Sequence, residues 1–264
     1  MQFGICGDPN LAAIAARASY DYAEWSVPAL LKPRESEDAF RASLDALHNV
    51  SIPYPVLNCF LPGDLKITGP NVDNPALATY VRISMVRAEA AGVSTIVFGS
   101  GGARHVPDGF DPRIAHDQLV AFSQMVGPLA HDHGVTVVVE PLNSAECNIL
   151  NSVAECAQLV QEVAHPGIRL LVDAYHLLRD GDSYDSIVTH GALLAHAHIA
   201  TIPNRLAPAA EDCDFSRFFA ALAKAQYTGR ISIEGKINDP EIDLPKALTM
   251  MRKLAASNDG FAKG

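Results

Sequence analysis

The chain has no Cys-x-x-Cys pair, no surplus of positive charge and no uninterrupted apolar run of about 18 residues. Each absence removes a class of protein. The cysteines are five in number, Cys6, Cys59, Cys147, Cys156 and Cys213. An odd, unpaired set argues against a disulfide framework or a structural zinc site and fits a reducing cytosol, so a cytoplasmic protein is expected. The strand-like "QFGICG" begins at residue 2 and leaves no room for a charged start followed by a long apolar stretch, which disfavours secretion and membrane insertion. A formal net charge of -10 speaks against a general binder of nucleic acid or anionic membrane, because both repel an acidic surface. It leaves room for a local basic site. Low-complexity segments, short-period repeats and linkers are also missing, so residues 1–264 are expected to form one domain.

What is present is an alternation. With 264 residues, 48% hydrophobic and 19% charged, the chain can build a large core, and its length suits one α/β barrel or two small domains. Eight β-rich runs appear: "QFGICG" (2–7), "DYAEWSV" (21–27), "PYPVLNCF" (53–60), "STIVFGS" (94–100), "TVVVEPL" (136–142), "RLLVDA" (169–174), "LLAHAHIA" (193–200) and "RISIEG" (230–235). Between them lie helical patterns at 75–92, 116–134, 152–167 and 214–229, several closing on glycine. The later strands are almost continuously apolar, as parallel strands covered on both faces are. Eight strand-helix units predict a (β/α)₈ barrel. The alternative, an open doubly wound sheet, would carry a glycine-rich turn after its first strand, and "GDPN" (7–10) is not that fingerprint.

Four of the last strands end at or near a hard-metal ligand: Glu140, Asp173, His198 and Glu234, separated by 33, 25 and 36 residues. Each step is close to one strand-helix unit, so a barrel brings all four to its C-terminal rim, where barrel enzymes place their chemistry. Taken singly, each has a plain structural explanation as a solvated loop carboxylate, a helix cap or a satisfied core histidine. Four in succession at one height require four such coincidences. Three carboxylates and an imidazole suit one divalent cation, with Mn²⁺, Mg²⁺ or Co²⁺ favoured over a thiolate-seeking metal and Zn²⁺ left open.

In "VVVEPLNSAECNILN" (137–151), "LLVDAYH" (170–176), "HAHIA" (196–200) and "GRISIEG" (229–235) the chain resembles the xylose isomerase-like sugar isomerase and epimerase superfamily, and within it the ketose 3-epimerases acting on D-tagatose and D-psicose. The resemblance covers essentially the whole barrel. It implies an isomerase that epimerises a small ketose at C3 through a metal-stabilised enediolate, with Mn²⁺ as the expected ion held by Glu140, Asp173, His198 and Glu234. It also implies that Glu140 and Glu234 form the proton-transfer pair, since inversion requires one acid/base group on each face of the carbon. Glu146, six residues after the first ligand, and His176, three after the second, match positions that hold substrate oxygens in the family.

The family's arginine lies six residues after the histidine ligand; here Asn204 stands there and the arginine is Arg205, so the loop "IATIPNRLAP" differs in length and can hold a different molecule. The Pro-Gly that usually follows is reduced to "AP" (207–208). Related functions stay open on the same residues: an inosose dehydratase-like lyase, a hydroxypyruvate or aldose-ketose isomerase, or a barrel that binds sugar without turnover. A DNA-repair endonuclease of the superfamily would need a richer His/Asp set. A sugar or polyol ketone is the expected partner, and related barrels commonly assemble as homodimers or homotetramers.

Weaker signals remain. "GSGGAR" (99–104) reads as a flexible turn, or as a backbone cradle for a phosphate or sugar assisted by Arg104. Glu24 and Trp25, ending the second strand, fit either a sugar contact or barrel packing. His196 points to the same side as His198, below the metal, as a partner for a ligand. "HDH" (131–133) reads as the solvated end of a helix on the opposite face.

Overall fold

The computed structural model describes residues 1–258. Eight parallel strands close into a barrel in chain order: β1 (Gln2–Cys6), β2 (Tyr22–Ser26), β3 (Val56–Asn58), β4 (Thr95–Phe98), β5 (Thr136–Val139), β6 (Ile168–Asp173), β7 (Leu194–Ile199) and β8 (Arg230–Ile233). Closure comes from β8 against β1, with Gln2 opposite Arg230 and Ile5 opposite Ile233. All eight expected strands are present, most of them shorter than their apolar runs, because the run continues into the loop that carries the functional residue.

Helices Asn74–Ala90, Pro112–Asp132, Val153–Val163 and Ser216–Lys224 occupy the four predicted helical stretches. Asp73, Asp111 and Ser152 start the first three, each accepting a first-turn backbone N–H that would otherwise lack a partner. Among the described residues no helix is long and apolar enough to cross a membrane.

Two apolar regions form. The larger lies between the strands and the helices; the smaller, Tyr22, Val56, Val97, Val138 and Leu171, plugs the inside of the barrel. Gly4 makes room for the plug, since a Cβ there would fall 2.3 Å from the Tyr22 ring. Strand side chains alternate between faces, so the next inward residue on each strand stands two positions later. Those residues are Glu24, Asn58, Gly99, Glu140 and Asp173, joined by His198 and Glu234 two positions after His196 and Ser232. The polar site is therefore the layer directly above the apolar plug, and the pleat delivers it there.

Candidate metal centre and active site

Glu140 follows β5, Asp173 ends β6, His198 lies in β7 and Glu234 follows β8. Ligand atoms of Glu140, Asp173, His176 and Glu234 all lie within 4.8 Å of one another. His198 Nδ1 is 2.9 Å from Glu140 Oε1 and 3.7 Å from Glu234 Oε2. Three of the four expected ligands thus fall in one cluster with His176, while His198 groups by ligand-atom spacing with Cys6 and Glu24 and borders that cluster through Glu140 and Glu234.

Asp173 serves two purposes. One oxygen caps the next helix, accepting the Tyr175 N–H at 2.7 Å. The other, Oδ2, is buried without a hydrogen-bond partner, as is His176 Nε2, and the two stand 3.6 Å apart, beyond hydrogen-bonding reach.

Three carboxylates this close repel one another. Burial pushes the Glu234 carboxyl up to about 8, with Glu140 and Asp173 adding to the rise and His198 and Arg205 opposing it. Burial acts on Glu140 in the same direction and is the largest single influence, but the bond from His198 and the positive charge on His198, with His176 and Arg104 adding, together outweigh it and hold that carboxyl below its usual range. Burial would discharge His198, yet Glu24, Glu234 and Glu140 raise it well above an ordinary imidazole. A divalent cation relieves this repulsion and supplies a partner for Asp173 Oδ2. The oxygen-rich donor set and the orphaned Asp173 Oδ2 fit such an ion.

The residues expected to hold substrate form a chain along one side. His176 Nδ1 accepts from the Asn143 backbone N–H at 3.0 Å and its side-chain amide at 2.8 Å. That amide also reaches Glu146 Oε1 at 2.9 Å. Arg205 joins Glu146 at 3.3 Å to Glu234 at 2.5 Å, and its guanidinium lies 4.6 Å from the Tyr175 ring centroid. The altered loop length therefore still delivers Arg205 to the site. Glu211 secures that loop, accepting from the Thr201 hydroxyl, the Asn204 backbone N–H at 3.2 Å and the Asn204 amide at 2.7 Å.

Of the two readings left open for Glu24 and Trp25, the packing matches barrel interior: Glu24 is fully buried, and its oxygens are engaged by His196 at 3.0 Å, His198 at 3.1 Å and Ser232 at 2.7 Å. Trp25, on the other face of β2, packs beside Tyr54 against the outer core. Arg104 does not face an anion. It is fully buried, donating to the carbonyls of Phe98 at 3.1 Å, Glu140 at 2.8 Å and Leu150 at 3.4 Å. "GSGGAR" is in fact a tight corner that ties β4 to the end of β5, and Gly99 leaves space for Glu140, whose Oε2 would lie 2.2 Å from a Cβ there. Asn143 was not singled out from the sequence; its place after Glu140-Pro141 in a loop was the one available signal.

The family described as xylose isomerase-like TIM barrel matches residues 12–254. L-ribulose 3-epimerase of Methylomonas sp. (strain DH-1) is 29% identical over 97% of this chain and 88% of its own length. A putative hydroxypyruvate isomerase of Danio rerio is 30% identical over 48% of this chain, a match spanning 47% of that protein. Among solved structures, D-allulose 3-epimerase from Methylomonas sp. in complex with D-allulose superimposes with a TM-score of 0.80 over 96% of both chains at 24% identity, a likeness of fold.

Proposed function

We propose that this chain, which belongs to the xylose isomerase-like TIM barrel family, is a divalent-metal-dependent isomerase that epimerises a small ketose at C3. The observation that carries this reading is the convergence of Glu140 and Glu234 in one buried cluster from strands three apart in a ring of eight. The two carboxylates approach the centre from well-separated directions, as inversion at a carbon requires.

Glu140, Asp173, His198 and Glu234 would hold the cation, with manganese the ion best suited to this oxygen-rich set. When bound, such an ion polarises the carbonyl and neighbouring hydroxyl of a ketose, so that the hydrogen beside the carbonyl becomes acidic enough to remove. Every other step belongs to the side chains. One of Glu140 and Glu234 takes the C3 proton from one face and the other returns a proton to the opposite face.

His176 is a donor to substrate in this scheme. Its Nδ1 accepts from both Asn143 N–H groups, so in the neutral ring the proton resides on Nε2, the unpartnered atom facing Asp173. An N–H holds an oxygen of the substrate; it does not ligate a cation. Glu146 accepts a substrate hydroxyl, and Arg205 keeps Glu146 and Glu234 in place while lending positive charge to the rim. All five cysteines are free, which supports a reducing compartment such as the cytoplasm.

The test is incubation of Mn²⁺-loaded protein with a panel of pentuloses and hexuloses in D₂O. Deuterium at C3 with the carbon skeleton intact is expected. Loss of water, or no exchange with any ketose, overturns epimerisation. A second reading, isomerisation of hydroxypyruvate, is favoured by the partial match to the hydroxypyruvate isomerase and by the Arg205 cation, which suits a carboxylate substrate. Conversion of hydroxypyruvate to its aldehyde isomer, without C3 exchange in ketoses, would establish it instead.

A further inference from the structure

Glu24 is the fully buried carboxylate for which proton transfer and substrate binding provide no use. Among the described residues its only ion-pair partners are two histidines, His196 at 3.0 Å and His198 at 3.1 Å. Burying a carboxylate costs several kcal/mol unless donors surround it. Here the donors converge. Tyr22 and Ser232 hydroxyls lie 2.9 Å apart, and Ser232 donates to Glu24 Oε2 at 2.7 Å, so the Tyr22 O–H must be spent on Ser232. His196 Nε2 faces the same oxygen. A carboxylate only accepts, so every group around it must present a hydrogen.

We infer that Glu24 is the positioning residue that makes His198 a metal ligand: it takes the Nε2–H of His198 and so leaves the Nδ1 lone pair directed between Glu140 and Glu234. Carboxylate oxygens face both ring nitrogens, Glu140 at 2.9 Å from Nδ1 and Glu24 at 3.1 Å from Nε2, but Glu140 is itself a ligand and Glu24 is not, so with Nδ1 given to the shared cation the one proton of a neutral His198 stays on Nε2 between the two oxygens of Glu24. A carboxylate behind a ligating imidazole also makes the ring a stronger donor and fixes its orientation. Glu24 reaches no other member of the quartet, so the effect passes through His198 alone. The inference rests on the metal-centre reading of Glu140, Asp173, His198 and Glu234.

The test is Mn²⁺ titration of metal-stripped protein by calorimetry. Glu24→Gln keeps the shape of the side chain but places an N–H where donors already converge; its metal Kd is expected to rise about 10- to 100-fold. Tyr22→Phe removes the far end of the same network and leaves the Glu24–His198 contact alone, so its Kd should stay at the wild-type value even where its Tm falls. A folded Glu24→Gln protein with wild-type metal affinity overturns the inference and leaves the metal centre standing. Wild-type protein that takes up no Mn²⁺ overturns both. Should Glu24→Gln fail to fold, nitrogen-15 NMR of histidine-labelled, Zn²⁺-loaded wild-type protein decides the matter: a proton on His198 Nε2 is expected, and a proton on Nδ1 refutes the role.

Discussion

The two halves of the barrel contribute differently to one site. Strands β5 to β8 end in Glu140, Asp173, His198 and Glu234, the charged groups that bind and transfer protons. Strands β1 to β4 place Cys6, Glu24, Asn58 and Gly99 at the equivalent inward positions, and β4 is followed by the buried Arg104. The second half holds the reactive atoms, whereas the first half holds the second in place. Gly99 leaves space for Glu140, Arg104 grips the backbone carbonyl of Glu140, and Glu24 engages His198. A barrel rim can divide work this way because closure puts β1 to β4 across the axis from β5 to β8.

This division is most directly broken in the second half. Glu140→Gln should leave the barrel folded, with an unchanged circular dichroism spectrum, while C3 exchange falls by a factor of about 10² to 10⁴, the usual worth of a positioned acid or base. Retained exchange would remove Glu140 from proton transfer and make it a ligand at most.

Gly99→Ala tests whether the first half acts through space alone. A methyl group there meets Glu140 Oε2 at 2.2 Å, so the carboxylate must move. Displacing a reacting group by about 1 Å can cost about a hundredfold in rate, and overpacking about 1–3 kcal/mol in stability. Turnover measured beside urea denaturation separates the two; normal turnover would show that Glu140 has room to spare.

The smallest effect on turnover is expected from Arg104→Met, which keeps much of the side-chain volume but removes the donors to Phe98, Glu140 and Leu150. Stability should fall by about 1–3 kcal/mol for each carbonyl left unpaired, read from the urea midpoint, with activity at low temperature much less affected. A loss of activity exceeding the loss of stability would mean that the strand end itself must be held rigidly.

Much of this was legible in the residues. "TVVVEPLN" shows a strand that stops at a proline with a carboxylate at its end, and the same pattern in "LLVDA" and "RISIEG" places further acids one strand-helix unit apart. Strand periodicity is local, so it survives in a single sequence. Arg104 and Glu24 were harder. A charged residue in a glycine-rich turn or at a strand end looks solvated, and only packing shows that Arg104 is surrounded by three carbonyls and Glu24 by two imidazoles and a hydroxyl.

By itself the sequence determined the eight-unit alternation and the positions of the ligands along it, because backbone pleat and helix period are properties of neighbouring residues. The tertiary structure decided what the ring nitrogens of His176 and His198 meet. Asn143 meets His176 from 33 residues away and Glu24 meets His198 from 174, and a hydrogen bond spanning such a distance exists only once the barrel has closed.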